Sequence, residues 1–181
     1  MNFKSLAEER YSVRKFSDKP IEKEKLDIVL KAGQLAPTAC NYQPQRILVI
    51  ESQAALEKLK ECTPYHFNAS VVLLICYDNT VSCKNSFNGK DVGDKDGSIV
   101  TTHMMLQAAD IGLGTTWVGY FNPELTIKAF NIPENYVPVA LLPIGYPAED
   151  GTPSPMHSKR VPLEETVFYN DFSNLGAKEI G

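Results

Sequence analysis

The chain has 181 residues, of which 43% are apolar and 22% are charged, the profile of an ordinary soluble globular protein. This length suits one domain whose core is large enough to fold without disulfides or a structural metal. The 18 basic and 22 acidic residues give a net charge of −4, which argues against a nucleic-acid partner because such proteins present a basic face.

No segment of the sequence is typical of export or of a membrane. Residues 1–12 lack the apolar stretch of a secretory signal, and the longest apolar run, 71–76, has the length of a strand. No C-x-x-C pair occurs among the four cysteines, which are Cys40, Cys62, Cys76 and Cys83. Unpaired thiols of this kind are typical of a reducing compartment. We therefore expect a cytoplasmic protein without a membrane span and without a cysteine-based metal site.

The first half of the chain predicts alternating helices and strands. Apolar residues recur on one face of residues 21–34, which predicts a helix closed by Pro37. Residues 46–51 predict a strand, 53–62 an amphipathic helix, and 71–77 a buried strand.

The middle of the chain breaks this pattern. Residues 78–94 are polar and rich in turn formers, which is typical of a lid, a binding loop or an inserted flexible segment. Residues 96–111 then predict a helix that stops at Gly112. Because apolar and small residues lie all round this helix, we expect it to be buried on every side, and a subunit interface is one way to achieve this.

The last third predicts two strands, one helix and an arm. Residues 115–121 and 137–144 have strand character, and Asn122 with Pro123 begins a helix that reaches about residue 130. After residue 145 the chain is rich in proline, which predicts an extended arm. The arm contains a strand-like segment at 165–169.

Two segments carry candidate binding groups. If the chain is extended at 10–14, the side chains of Arg10, Ser12 and Arg14 project from one face and can hold an oxyanion. A solvated basic turn is the alternative, and spacing alone favours it. Between two prolines at 36–44, Asn41 and Gln43 carry amides that both donate and accept hydrogen bonds. A loop that only caps its neighbours fits that segment equally well.

Other catalytic signatures are missing from the sequence. The G-x-G at 112–114 follows a helix and precedes a strand, the reverse of a dinucleotide-binding fingerprint. There is no P-loop and no G-x-S-x-G, and the three histidines show no ligand spacing. Hydrolase, kinase and zinc chemistries are therefore not indicated. Lys159 and Arg160 in the arm would ordinarily be a solvated pair.

Five segments taken in order resemble the FMN-dependent nitroreductase family over nearly the whole chain. The first is similar to that family's R-x-S-x-R-x-F start, the second to its A-P-S-A-x-N-x-Q-P block and the third to its L-G-L-G-T-x-W-x-G segment. The fourth resembles the strand that leads into the arm and the fifth the closing R-x-P-L-E-E element. In this sequence they read RYSVRKF, APTACNYQP, IGLGTTWVG, VALLPIGYP and KRVPLEE. Two departures are Thr38 in place of serine and Gln45 where tryptophan is common.

The resemblance implies a fold, an assembly and an activity. The fold would be α+β, an α/β/α sandwich with a central, mostly antiparallel sheet, formed by a single domain over residues 1–181. An arm of about residues 146–181 would join the partner in a homodimer with FMN at the interface. The activity implied is hydride transfer from NAD(P)H to the flavin, followed by ping-pong reduction of a small acceptor such as a nitroaromatic or a quinone. The cofactor carries the chemistry, so no catalytic side chain and no metal is expected.

The resemblance also implies roles for individual residues. Arg10 and Ser12, with Lys159 or Arg160, would hold the FMN phosphate, and Arg14 would lie at the N1/O2 edge of the ring. The residues expected from the partner subunit are Pro37, Thr38 and Asn41. The residues expected beside the ring are Gly119, through its backbone N–H near flavin N5, and Pro143, Ile144 and Gly145.

Two other functional classes remain compatible with the sequence. One is a flavin enzyme of the same fold whose acceptor is an enone, a halogenated aromatic or flavin itself. The other is a non-catalytic flavin- or nucleotide-binding module with a regulatory role. A purified yellow dimer that NAD(P)H bleaches would identify an oxidoreductase.

Overall fold

The computed structural model describes residues 2–172. Its helices are α1 (Phe3–Glu9), α2 (Lys23–Leu35), α3 (Gln53–Cys62), α4 (Gly93–Asp110) and α5 (Pro123–Phe130). Its strands are β1 (Gln45–Ile50), β2 (Val71–Asp78), β3 (Gly114–Thr115) and β4 (Tyr136–Gly145). Short 3-10 turns occur at Ala39–Asn41 and Leu163–Glu165. Within the described residues, no helix combines the length and the hydropathy needed to cross a bilayer.

The strands form one antiparallel sheet in the order β1–β2–β4–β3. At its centre, Leu73 of β2 pairs with Val49 of β1 on one side and with Leu142 of β4 on the other. Alternate residues of β2 point to opposite faces. Val71, Leu73 and Ile75 pack with α2 and α4, whereas Val72, Leu74 and Cys76 pack with α3 and α5. The α/β/α sandwich predicted from the resemblance is confirmed.

Helices α2 and α4 pack directly against each other in the core. α4 buries Val100, Met104 and Ala108, which recur every four residues along one face. Opposite them, a Cβ added to Gly33 of α2 would lie 2.9 Å from the Met104 Cγ. Only glycine fits here without displacing the Met104 side chain.

The single chain buries only one face of α4, so the prediction that a subunit interface covers the rest of this helix stays a prediction. The helix begins at residue 93, three residues before the predicted start, and buries only one face in the core. Ile99 on another face is 39% exposed. The exposed part borders an open apolar groove between α1, α2 and α4, lined in part by Phe3, Ile28 and Leu35.

The strand predicted at 115–121 is mostly absent. Only Gly114 and Thr115 pair with β4 as a strand, and Val118 forms one further bridge to Leu141. Between the Thr115 pair and the Val118 bridge, the amide of Thr116 donates to the carbonyl of Pro143 at 3.2 Å. Proline has no N–H to complete a reciprocal pair, so the ladder is interrupted at this point.

The strand-like segment predicted at 165–169 is also not a strand. Leu163–Glu165 forms a 3-10 turn, and the amide of Val167 donates to the carbonyl of Leu163 at 2.7 Å. Tyr169 is 83% exposed. A strand needs an edge to pair with, and none of the described residues offers one here. The part of the predicted arm at 173–181 lies outside the described residues.

Within the polar segment predicted at 78–94, residues 83–92 fold into a small two-stranded antiparallel ribbon. The amide of Asn85 donates to the carbonyl of Lys90 at 2.9 Å, and the amide of Val92 donates to the carbonyl of Cys83 at 3.1 Å. The ribbon turns at Gly89, which has a φ of 69°. The predicted loop therefore has regular internal hydrogen bonds, and its last two residues belong to α4.

Candidate functional site

An extended N-terminal segment lies along β3, the edge strand of the sheet. Ser12 bridges Thr115 in parallel, and the amide of Val13 donates to the Thr115 carbonyl at 2.9 Å. The hydroxyl of Thr116 donates to the carbonyl of Val13. Because Val13 is 2% exposed and extended residues alternate, Ser12 and Arg14 lie on the opposite, accessible face.

The extended segment and the arm together enclose a cationic pocket of about 210 Å³. From the N-terminal segment it is lined by Arg10, Tyr11, Ser12 and Arg14, and from the arm by Ser154, Met156, His157 and Arg160. Segments at least 140 positions apart thus form one cavity. Lys159, the other candidate in the arm, does not line it.

The arm is held against the extended segment by contacts on both sides of the pocket. The amide of Ala148 donates to the carbonyl of Lys15 at 3.0 Å, and the ring centroids of Tyr11 and His157 lie 6.1 Å apart, edge to face. The guanidinium of Arg160 donates to the carbonyl of His157 at 2.5 Å. These contacts fix where the Arg160 charge lies relative to residues 10–14.

No carboxylate among the described residues neutralises the charges in this pocket. Three of the four arginines in the sequence line it, and within residues 2–172 none of the three pairs with a carboxylate. Arg10 donates to the Met105 sulfur at 3.8 Å, a weak acceptor, and Arg14 to the Ser12 carbonyl at 3.3 Å. Guanidinium groups with this arrangement can bind an anion such as a phosphate.

A second candidate region is the turn at residues 36–44, which follows α2. Three non-glycine residues in it have left-handed backbone conformations, Cys40 (φ 53°), Asn41 (φ 55°) and Gln43 (φ 51°). Such conformations are uncommon outside glycine and cost about 1–3 kcal/mol each, so surrounding contacts must hold them. One such contact is the hydrogen bond that the Thr38 hydroxyl accepts from the backbone amide of Gln43 at 3.1 Å.

Asp96 holds the same turn from α4. One of its carboxylate oxygens accepts from the amide of Ala39 at 2.9 Å, although Asp96 is only 3% exposed. The other oxygen is buried without a hydrogen-bond partner among the described residues. This role of Asp96 could not be predicted from the sequence, because an aspartate in the first turn of a helix normally indicates only a favourable interaction with the helix dipole.

The remaining predicted residues lie around the end of β4. Gly119 is an exposed residue, and its amide donates to no group of the described residues, so it can serve as a donor to a ligand. A Cβ at this position would lie 2.9 Å from the Trp117 ring. Pro143, Ile144 and Gly145 are buried, and the side chain of Ile144 belongs to the core beside α4.

Only some of the predicted residues come together within one chain. Arg10, Ser12, Arg14 and Arg160 share the cationic pocket. Pro37, Thr38 and Asn41 lie on the surface of the 36–44 turn and line none of the described cavities that contain Arg10. Sequence reasoning also missed the contribution of Ser154 and His157, which no motif indicated. No group of three metal-binding side chains occurs among the described residues.

Comparisons with known proteins agree on one family. The model of the nitroreductase family matches residues 7–71 and 67–146. A solved nitroreductase family protein of Clostridium difficile 630 is 42% identical, with a TM-score of 0.89 over 95% of this chain and 100% of that chain.

Two further relatives are named for flavin. An FMN-dependent nitroreductase of Clostridium difficile R20291 is 26% identical, with a TM-score of 0.78 over 94% of this chain and all of that chain. An FMN reductase [NAD(P)H] of Bacillus subtilis is 28% identical over 187 residues, 93% of this chain and 75% of that protein. On this sequence and structural similarity, the chain belongs to the nitroreductase family.

Proposed function

We propose that the chain is an FMN-dependent oxidoreductase that takes hydride from NAD(P)H and reduces a small acceptor such as a nitroaromatic or a quinone. The observation that carries this proposal is the pocket lined by three arginines, none of which pairs with a carboxylate in the part of the chain that the structure describes. The names of the flavin-dependent relatives support the same cofactor and donor. The proposal places the protein in the cytoplasm.

The cationic pocket fits the phosphate of FMN. That group carries close to two negative charges and three acceptor oxygens, which match several guanidinium donors and the Ser12 hydroxyl. Arg10, Ser12 and Arg160 would hold the phosphate. Lys159, outside the pocket lining, would add only longer-range positive charge.

The cation at the ring edge is assigned to Arg14. Its side chain is exposed, and its hydrogen bond to the Ser12 carbonyl, at 3.3 Å, is long. A positive charge beside N1 and O2 favours the reduced flavin, which is anionic there. Bound FMN would supply the redox chemistry by accepting hydride from the nicotinamide and reducing the acceptor. The side chains only bind and orient, and for this reason no general acid or base is assigned.

The ring would lie against residues beyond the phosphate pocket. The free amide of Gly119 is the donor assigned to flavin N5. Pro143 and Gly145 would border the ring through backbone atoms, and Ile144 would support them from the core, because its side chain is fully buried.

A second copy of the chain would complete the site. The 36–44 turn, with Pro37, Thr38 and Asn41, does not reach the cationic pocket of its own chain. The groove between α1, α2 and α4 measures about 910 Å³ and exposes apolar side chains. Phe3 is 72% and Leu35 70% exposed. A homodimer would cover this groove and supply the turn to the other copy's flavin.

The dimer is proposed to form from the single domain 1–181. Its arm, about residues 146–181, would extend onto the partner. The exposure of Tyr169 and of Leu163, at 83% and 74%, supports a surface that is covered on assembly.

One set of measurements tests the proposal on the purified full-length protein. The absorbance spectrum is recorded without oxygen while NADH or NADPH is added, and light scattering gives the mass in solution. A dimer with bound yellow flavin that either nicotinamide bleaches, and that a nitroaromatic or quinone restores, is expected. Bound flavin that neither nicotinamide bleaches would contradict the enzyme and favour the binding module.

Steady-state kinetics test the order of binding. Donor and acceptor are expected to bind in turn at the same surface, which gives parallel double-reciprocal lines. Intersecting lines would exclude a shared site.

A further inference from the structure

Two cysteines that lie 43 positions apart meet where the 36–44 turn faces the 83–92 ribbon. The sulfur atoms of Cys40 and Cys83 are 3.9 Å apart. A disulfide bond is about 2.05 Å long, so the two sulfurs need to approach by only about 1.9 Å. Neither residue belongs to an α-helix or a strand, so local backbone and side-chain rotation can supply this movement.

The other two cysteines are in a different environment. Cys62 and Cys76 are 3% and 4% exposed and lie in the core between the sheet and helices α3 and α5. Burial raises the pKa of the Cys76 thiol to about 12, which keeps it protonated and unreactive. By contrast Cys40 is exposed and Cys83 is half-buried. A soluble oxidant therefore reaches only the Cys40 and Cys83 pair.

Contacts on both sides hold the two thiols together. Asp96 accepts from the amide of Ala39, the residue before Cys40, at 2.9 Å. On the other side, the carbonyl of Cys83 accepts from the amide of Val92 at 3.1 Å and closes the ribbon. The turn and the ribbon are thus each anchored next to the start of α4. The two thiols are therefore positioned to form a disulfide, although no covalent bond joins them.

We propose that Cys40 and Cys83 are a redox-active dithiol that a low-molecular-weight disulfide oxidises to an intramolecular disulfide. The Cys40 thiolate attacks one sulfur of the oxidant and releases the first small thiol. Cys83 then loses its proton and attacks the Cys40 sulfur, which forms the internal bond and releases the second small thiol. Two electrons and two protons pass from the protein to the oxidant.

The order of attack follows from the surroundings of each sulfur. Cys40 is the more exposed of the two and meets the oxidant first. The hydrogen bond shared with Cys40, and then burial, raise the pKa of Cys83. Cys83 is thereby less available as the first nucleophile and acts as the resolving thiol.

The disulfide would fasten the 83–92 ribbon to the 36–44 turn. Under the proposed function this turn borders the flavin, so the oxidised form would narrow the space for the acceptor. That consequence rests on the proposed function. The thiol chemistry does not, because it needs only this chain and the oxidant, and its test uses no flavin signal.

The test oxidises the full-length protein with oxidised glutathione, denatures it, and counts free thiols by alkylation and intact mass. Two alkylated cysteines are expected in place of four, with one peptide linking Cys40 to Cys83. Closing a loop of this length should raise the melting temperature by about 5–10 °C. Dithiothreitol should reverse both changes.

Single substitutions provide the controls. Cys83→Ser should leave a stable glutathione adduct on Cys40 and no rise in melting temperature, whereas Cys62→Ala should keep the cross-link. Four free thiols after oxidation, a link between two chains, or a lasting glutathione adduct in the unaltered protein would each overturn the proposal.

Discussion

The four arginines of the chain occupy two contrasting environments. Arg46 lies 3.1 Å from the carboxylate of Asp78, whose side chain is 8% exposed. The same carboxylate accepts from the hydroxyl of Thr80 at 2.6 Å and from the amide of Asn135 at 2.9 Å. The three arginines of the cationic pocket have backbone carbonyls or a sulfur atom as their acceptors. The charge of Arg46 is thus paired inside the fold, whereas the pocket arginines have no carboxylate partner among residues 2–172.

This difference separates structural charge from binding charge. The Arg46 network ties the end of β2 to the segment before β4 and needs nothing from outside. Three like charges in one small pocket repel each other, so an anion that binds between them should stabilise the folded state. Substitutions in the two environments should therefore have different effects, on stability in one and on ligand affinity in the other.

The largest effect is expected from the pocket. Arg10→Ala and Arg160→Ala should each remove one charge-assisted contact worth about 1.5–3 kcal/mol, which weakens FMN binding by about ten- to a hundred-fold. Flavin content after purification and fluorescence titration measure this loss. The melting temperature of the flavin-free protein should be unchanged or higher, because one repulsive charge is gone.

Lys15→Ala is the matched control for the pocket. Lys15 is next to Arg14 but pairs with Asp150 and does not line the cavity. The substitution removes one positive charge that solvent screens and that does not line the cavity, so FMN affinity should fall by less than about three-fold. If Lys15→Ala and Arg10→Ala lose flavin equally, the contacts assigned to the pocket are wrong.

The contribution of the Arg46 network to stability should depend on pH in the acid range. Hydrogen bonds from Thr80 and Asn135, with the charge of Arg46, lower the pKa of Asp78 to about 2. The stabilisation from this carboxylate is therefore fully present above its unfolded-state pKa of about 3.9, and is lost as the pH falls towards 2. The difference in melting temperature between wild type and Asp78→Asn should shrink between about pH 4 and pH 2. A difference that does not change with pH would show that Asp78 contributes no charge-dependent stability.

The smallest effect on binding is expected at Arg14. Arg14→Gln should lower the flavin potential and slow flavin reduction more than it weakens FMN binding. Arg14→Lys should be milder because it keeps the charge and loses only the planar fork. Potentiometry and stopped-flow reduction by NAD(P)H measure the two effects. Equal losses of FMN affinity in Arg14→Gln and Arg10→Ala would indicate that Arg14 binds the phosphate and not the edge of the ring.

Much of the fold could be predicted because its signals are local. The apolar run of β2, the Asn122 and Pro123 start of α5 and the helix stop at Gly112 each depend on a few neighbouring residues. The strand predicted at 115–121 was wrong because its pairing depends on a distant proline, Pro143, that cannot return a hydrogen bond.

The candidate site was less accessible to sequence reasoning for the same reason. The extended segment at 10–14 has a visible motif, but its convergence with Arg160 depends on contacts across the whole chain. The spacing of the cysteines in the sequence does not predict that Cys40 and Cys83 approach each other, since the two lie on separate loops. In the sequence Asp96 is an ordinary acidic residue of a first helical turn, and only the structure shows that it accepts a hydrogen bond from the amide of Ala39.

The two halves of the cationic pocket lie about 150 positions apart in the sequence, which sets the order in which they are synthesised. Residues 10–14 leave the ribosome first, and Arg160 follows about 150 positions later. A nascent chain therefore cannot assemble the anion site until Arg160 has been made. Cofactor loading would follow translation, and a truncated product would have no complete pocket with which to sequester flavin.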